Sequence, residues 1–182
     1  FPTRRSSDLK TISSDRVYTG KVITLKVDTV EIPGQGYQKR ELVEVGGAVG
    51  IVAITDDNKV VLVKQFRKPI EKPIFEIPAG KLEKNESPKE CAERELKEET
   101  GYSAKNIKLI HKFFTSAGFS NEIMFVYLAT GLTPGENNLD ADEFLDVYEI
   151  ELEEAYNMVL KNDVEDAKTS IGLLLVKDMF KN

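Results

Sequence analysis

Three glutamates, Glu95, Glu98 and Glu99, stand at positions i, i+3 and i+4 within the stretch GKLEKNESPKECAERELKEETGY, residues 80–102. On a helix that spacing gathers all three on one face. Like charges so placed repel by roughly a few tenths of a kcal/mol per pair, so helix stability alone would not select them. Three convergent carboxylates make a hard-oxygen site suited to Mg2+ or Mn2+. Glu86, in the preceding loop, can add a fourth, and Arg94 lies four residues before Glu98, where it can orient or neutralise it. The remaining charges, Lys81, Lys84, Lys89, Glu90, Glu93 and Lys97, read as a solvated face. Spacing alone leaves a salt-bridged surface helix and a metal site both open.

The helix that must carry the three carboxylates is written into the same stretch. Ser87 followed by Glu90 forms a capping box, and Pro88 falls at the first helical position. Gly101 stands where a C-terminal cap belongs, so the helix is expected over about Pro88 to Thr100. Before it, VYTGKVITLKVDTVEI and YQKRELVEV alternate around the turn PGQG and read as a small antiparallel strand unit. GGAVGIVAIT is a nearly continuous apolar run, as expected of a strand buried on both faces. DDNK is its turn and VVLVKQF its hairpin partner. RKPIEKP reads as a loop, and IFEIPAG as a short strand that Pro78 and Gly80 bring to an end. Strands follow at IKLIHKFF, EIMFVYLATGL and FLDVYEIEL, with the acidic loop TPGENNLDADE between the last two. LEEAYNMVLKN and DAKTSIGLLLVKDMF read as helices. Interleaved strands and helices imply an α/β sandwich with a mixed sheet. The expected organisation is a strand unit at residues 10–45 and the main domain at 46–182. Residues 1–9, FPTRRSSDL with Phe1 in place of an initiator Met, read as the translation of a sequencing-adapter oligonucleotide or as a disordered tail.

Composition narrows the chemistry. The 182 residues carry a net charge of −6, with 41% apolar and 31% charged residues. That balance argues against nucleic acid or an anionic membrane as partner. No apolar run reaches the roughly 20 residues that span a bilayer, and a cytoplasmic location is expected. Cys91 is the only cysteine and His111 the only histidine. There is thus no disulfide framework or Cys-based zinc site, and hydrolase triads that need a His are disfavoured. The chemistry falls to carboxylates.

Gly80, Glu86, Arg94, Glu95, Leu96, Glu98, Glu99 and Gly101 fill the first eight places of the Nudix box, which the stretch resembles without a gap. Tyr102 takes the last place, where an aliphatic residue is usual. At average residue frequencies such a match arises by chance on the order of once per billion starting positions. The resemblance implies the Nudix α/β/α sandwich and hydrolysis of a nucleoside diphosphate linked to another group. It also implies that Glu95, Glu98 and Glu99 bind metal, that Glu86 supports them, and that the carbonyl of Ala79 faces a metal.

The chemistry suits those residues. Water must reach a phosphorus shielded by negative oxygens, and divalent ions neutralise them and align the attack. An acidic protein can therefore take an anionic substrate through its cations. A loop carboxylate is still needed as base. Outside the box, KQFRKPIEKPIFEIPAGKLE, KRELVEV, SAGFSNE and EDAKT resemble the branch that cleaves ADP-ribose and ADP-sugars. That likeness, from about Tyr18 to Thr169, implies Arg67 and Glu76 at the substrate, with Arg67 on phosphate. It implies Glu143 as base, and Glu122 is a weaker candidate for the site, on the substrate side. It further implies a homodimer with exchanged N-terminal strands, in which Arg40 reaches the partner's site. The loop Ser116-Ala117-Gly118 departs from the Ser-Pro-Gly usual in that branch. Gly118 stays a substrate-side candidate, but Ala117 cannot restrict the loop as Pro would. The leading expectation is Mg2+-dependent cleavage of ADP-ribose to AMP and ribose 5-phosphate. Other nucleoside diphosphate sugars or dinucleotides are the alternative substrates. An ADP-ribose-sensing module without catalysis is the alternative of another class, and the complete set of box carboxylates argues against it.

Overall fold

The structure, a computed structural model, describes residues 9–136 and 144–180. The chain divides into two compact units, one running to Gly46 and including Phe114–Ile123, the other comprising Gly47–Phe113 and the chain from Met124 onward.

The first unit is a meander of three antiparallel strands, β1 (Lys10–Thr19), β2 (Ile23–Ile32) and β3 (Gly36–Val45), in that order. Alternation alone runs one extended segment through VYTGKVITL. The chain instead turns at Gly20, whose N–H donates to the Ile23 carbonyl at 2.9 Å. Glycine is the usual punctuation for such a reversal. The Phe114–Ile123 segment joins this unit through its backbone. Val43 N–H donates to the Phe119 carbonyl at 2.8 Å, and Val45 N–H to the Asn121 side chain at 2.9 Å.

The second unit is built on β4 (Ala48–Ile54), every residue of which is buried. Its neighbours are β5 (Lys59–Arg67), antiparallel, and β9 (Ile123–Thr133), parallel. Outside these lie β10 (Leu145–Glu151), antiparallel to β5, and β8 (Ser103–Phe114), beside β9. The sheet is mixed, as expected. Alternation along β4 feeds two cores. Val49, Ile51 and Ala53 meet Cys91, Ala92 and Leu96 of α1 (Pro88–Thr100). Ala48, Val52 and Ile54 share the other core with α2 (Leu152–Leu160) and α3 (Ala167–Met179), through Leu152, Ala155, Leu173 and Val176. Each fully buried leucine, Leu96 and Leu173 among them, contributes roughly 2 kcal/mol by leaving water.

Between β5 and α1 the chain departs from the expectation. RKPIEKP is not all loop. Lys68–Ile70 form one turn of 3-10 helix, and β6 (Lys72–Glu76) begins before Pro73 and pairs with β5. Nor does the strand end for good at Pro78. The chain changes partner there, and β7 (Ala79–Lys81) pairs antiparallel with β4. Pro78 has no N–H to continue a ladder, but its carbonyl accepts from Ile51 N–H at 2.8 Å. β4 and β5 pair directly only at Ala53–Val61 and Ile54–Val60, and each takes β7 or β6 as a partner farther along.

Candidate active site

The helix α1 starts and stops where its sequence says. The Ser87 hydroxyl accepts from Glu90 N–H at 3.3 Å, and the Glu90 carboxylate from Ser87 N–H at 2.9 Å. Gly101 closes the helix with φ +75° and its N–H on the Lys97 carbonyl. With its ends thus held, the helix turns Cys91, Ala92 and Leu96 inward and brings Glu95 and Glu99 to the edge of the core, only 8% and 3% exposed. Glu98 lies farther out on the same face.

Arg94 joins these carboxylates. Its Nε and Nη2 grip Glu86 at 2.8 and 3.0 Å, and its Nη1 donates to Glu95 at 2.8 Å and to Glu98 at 2.9 Å. Nη2 also donates to the Lys81 carbonyl of β7 at 3.2 Å. Loop, helix and strand are thereby fastened to one guanidinium. Arg94 above all holds the Glu86 carboxyl down at about 2, with the Glu83 N–H assisting. The carboxylates in turn raise the already high basicity of Arg94. Cys91 lies beside this group, but burial pushes its thiol up to about 12, so it stands neutral and is no nucleophile.

Glu99 is fixed from the other side, accepting Ala79 N–H at 3.0 Å. Gly80, next in β7, leaves the Glu95 carboxylate its place. A β-carbon there would lie 1.8 Å from a Glu95 carboxylate oxygen. The strand runs against that carboxylate as closely as a backbone can.

Glu86, Glu95, Glu98 and Glu99 with Arg94 carry a net charge of −3. All-oxygen donors with that excess of negative charge fit a hard divalent ion. Among the described residues no three acidic, His or Cys side chains surround one point at ligand distance, because Glu86, Glu95 and Glu98 close around the Arg94 guanidinium.

Arg67 and Glu76 form a second cluster in the same unit. Arg67 Nε and Nη2 hold the two Glu76 oxygens at 2.5 and 2.7 Å. Glu76 is 1% exposed. Burial would push its carboxyl up, but Arg67 and Lys168 outweigh burial and hold it below the usual carboxylate range. Arg67 also feels the field of Glu99, which ties this cluster to the box. Lys168 is not among the residues expected at the site, although EDAKT contains it. A lysine beside an N-cap aspartate, with apolar residues following, is the signal the sequence offers.

Arg40, Gly118 and Glu122 belong to the first unit. Arg40 donates to the Gln38 side chain and the Lys39 carbonyl, Glu122 accepts from Thr115 Oγ1 at 2.7 Å, and Gly118 lies in the turn that runs from Ser116 to Ser120. Glu143 lies outside the described residues. Tyr102, the departure within the box, donates its hydroxyl to Glu149 of β10. That bond above all raises the phenol to about 12. His111 is exposed on β8 beside the Phe113 ring.

Comparison with known proteins agrees with this geometry. The NUDIX domain model matches residues 45–171. An ADP-ribose pyrophosphatase of Bacillus subtilis (strain 168) is 49% identical, across 93% of this chain and 92% of its own. A methanol dehydrogenase activator of Bacillus methanolicus is 48% identical across 90% of each chain. An ADP-ribose pyrophosphatase of Mycobacterium tuberculosis is 38% identical across 93% of this chain and 83% of its own. The crystal structure of an ADP compounds hydrolase shares the fold with a TM-score of 0.85, covering 94% of this chain and 93% of its own at 23% identity. The family match over residues 45–171 and 49% identity across 93% of the chain agree, and the chain belongs to the NUDIX family.

Proposed function

We propose that this chain hydrolyses the diphosphate of ADP-ribose, releasing AMP and ribose 5-phosphate. The observation that carries the reading is the carboxylate face of α1. There Glu95, Glu98 and Glu99 stand together, with Arg94 and the Ala79 N–H fixing their orientation. The names borne by relatives at 49% and 38% identity supply the substrate. Identity alone does not choose between them and the dehydrogenase activator at 48%, but a carboxylate face of this kind is chemistry for a diphosphate.

In this reading Glu95, Glu98 and Glu99 hold Mg2+, or Mn2+ in its place, with Glu86 in support and the Ala79 carbonyl nearby. The ion supplies charge neutralisation to the phosphate oxygens. The chain's own residues do the rest. Arg94 keeps the carboxylates from springing apart, and Gly80 lets β7 lie against Glu95. The outer edge of Arg67 meets a phosphate. Glu143 takes a proton from the attacking water as its oxygen bonds to phosphorus. The bond from that phosphorus to the bridging oxygen breaks, and the bridging oxygen leaves on the other phosphate. Arg40, Gly118 and Glu122 serve the substrate side, Arg40 from the partner of a cytoplasmic homodimer.

A second reading keeps the chemistry and changes the sugar. Relatives named GDP-mannose pyrophosphatase match at 27–30% identity, and Ala117 leaves the loop before Gly118 less restricted than proline would. A time course of ADP-ribose and GDP-mannose with excess Mg2+, with and without EDTA, decides. AMP release that EDTA abolishes, faster than GDP-mannose turnover, is the expected outcome. Cleavage of GDP-mannose alone moves the substrate. ADP-ribose binding without any cleavage would mark a sensing module.

A further inference from the structure

Residues 165–169, EDAKT, take no part in the hydrolysis described above, yet they meet the segment that enters the box. Lys168 is the second residue of α3, and its side chain is 11% exposed. Its ammonium contacts the buried Glu76 carboxylate and lies 3.1 Å from Asp166. Thr169, fully buried, accepts the Ile77 N–H at 2.8 Å and donates to Asp166 at 2.6 Å. Counting onward, Pro78 is held by Ile51 N–H and Ala79 by Glu99. Four consecutive residues, Glu76 to Ala79, are therefore each held by a different partner, and α3 provides the first two holds.

The charges in this network point further. Arg67 and Glu76 alone form a neutral pair. Arg67 spends Nε and Nη2 on Glu76, so the opposite edge, with Nη1, faces away from that carboxylate on a side chain that is 42% exposed. Asp166 is nearby, and without Lys168 the group Arg67, Glu76 and Asp166 would carry a net negative charge. An anionic diphosphate approaching Arg67 would meet that charge in a partly buried setting, where solvent screens it weakly.

We propose that Lys168 is a positioning residue for the diphosphate. It balances Glu76 so that the outer edge of Arg67 stays attractive to phosphate, and with Thr169 it sets the strap that leads to Glu99. The inference rests on the ADP-ribose reading for its substrate and on the geometry above for its charges. Lys72 is the control. It pairs with Glu165 of the same motif at 2.5 Å, but on the surface, with both side chains 40% or more exposed.

The test compares wild type, Lys168→Met, Lys168→Arg and Lys72→Met for kcat and KM on ADP-ribose with Mg2+, alongside calorimetric titration with ADP-ribose and thermal melting. Lys168→Met is expected to raise KM about tenfold, the size of effect of one partly screened unit charge, while kcat changes much less. Lys168→Arg should restore most of the loss, and Lys72→Met should leave KM near that of wild type. Lys168→Met with the KM of wild type overturns the inference and leaves the hydrolase reading intact. An equal rise in Lys72→Met also overturns it, because the effect would then be general charge. If wild type does not cleave ADP-ribose, the ADP-ribose reading fails, and the titration still decides here. Binding weakened in Lys168→Met but not in Lys72→Met upholds the role, and equal binding, or none by any variant, overturns it. Should Lys168→Met melt below the assay temperature, Lys168→Gln repeats the comparison with the same loss of charge.

Discussion

At the scale of single residues the site depends on contacts with little slack. Gly80→Ala would place a methyl group where the Glu95 carboxylate now lies. That carboxylate ends a flexible side chain, so it can move aside at little cost in stability. Its displacement by an ångström or more is expected to lower turnover about a hundredfold. Steady-state rates beside a melting curve separate the two effects, and full activity would show that Glu95 is not needed where it stands. Glu98→Gln keeps shape and hydrogen bonding but removes one charge. It should fold as wild type and lose activity by two to three orders of magnitude, roughly the effect of removing one electrostatic stabiliser. Near-normal activity would remove Glu98 from the ligand set. The box residues are legible in the sequence because carboxylates at i, i+3 and i+4 must share a helix face. For Arg94, spacing along the chain points to Glu98 alone. Its grip on Glu86, Glu95 and the Lys81 carbonyl arises from a loop and a strand that spacing does not bring together.

The elements that carry these residues differ in how far local rules decide them. The helix α1 follows its caps at both ends, since a capping box and a C-terminal glycine act within one turn. Ser87→Ala removes half of that box and should cost about 1 kcal/mol, read as a lower midpoint in urea, with kcat little changed. An unaltered midpoint would mean that tertiary packing holds the first turn without the cap. The strap from Lys72 to Lys81 behaves otherwise. Prolines at 73 and 78 argue locally against strand, yet β6 and β7 form because β5 and β4 each offer a free edge there. Edge positions tolerate a missing N–H. No window of sequence contains that offer.

For the whole molecule, depressed carboxyl groups set the acid limit. Glu86 is held at about 2 in the fold, and Glu76, Asp57 and Glu90 also lie below their ordinary values. A group with a lower pKa when folded stabilises the fold fully above its unfolded pKa, and that contribution is lost as pH falls through the folded one. Melting temperature should therefore fall between about pH 4.5 and pH 2, with a shallower slope in Glu86→Gln. Equal slopes would mean that the Arg94 grip on Glu86 adds nothing to acid stability. The sequence by itself determined the α/β class, the box helix with its ends, the carboxylate chemistry and the buried strand at its centre. Each follows from periodicity, capping or charge spacing, which act over a few residues. Tertiary structure alone decided that Arg94 gathers three carboxylates, that Glu99 is pinned by Ala79 and that Gly80 lies against Glu95. It alone brought Lys168, 92 residues distant in the chain, onto Glu76. Those pairings follow from which strands and helices share a core, and that choice is made by packing the whole unit.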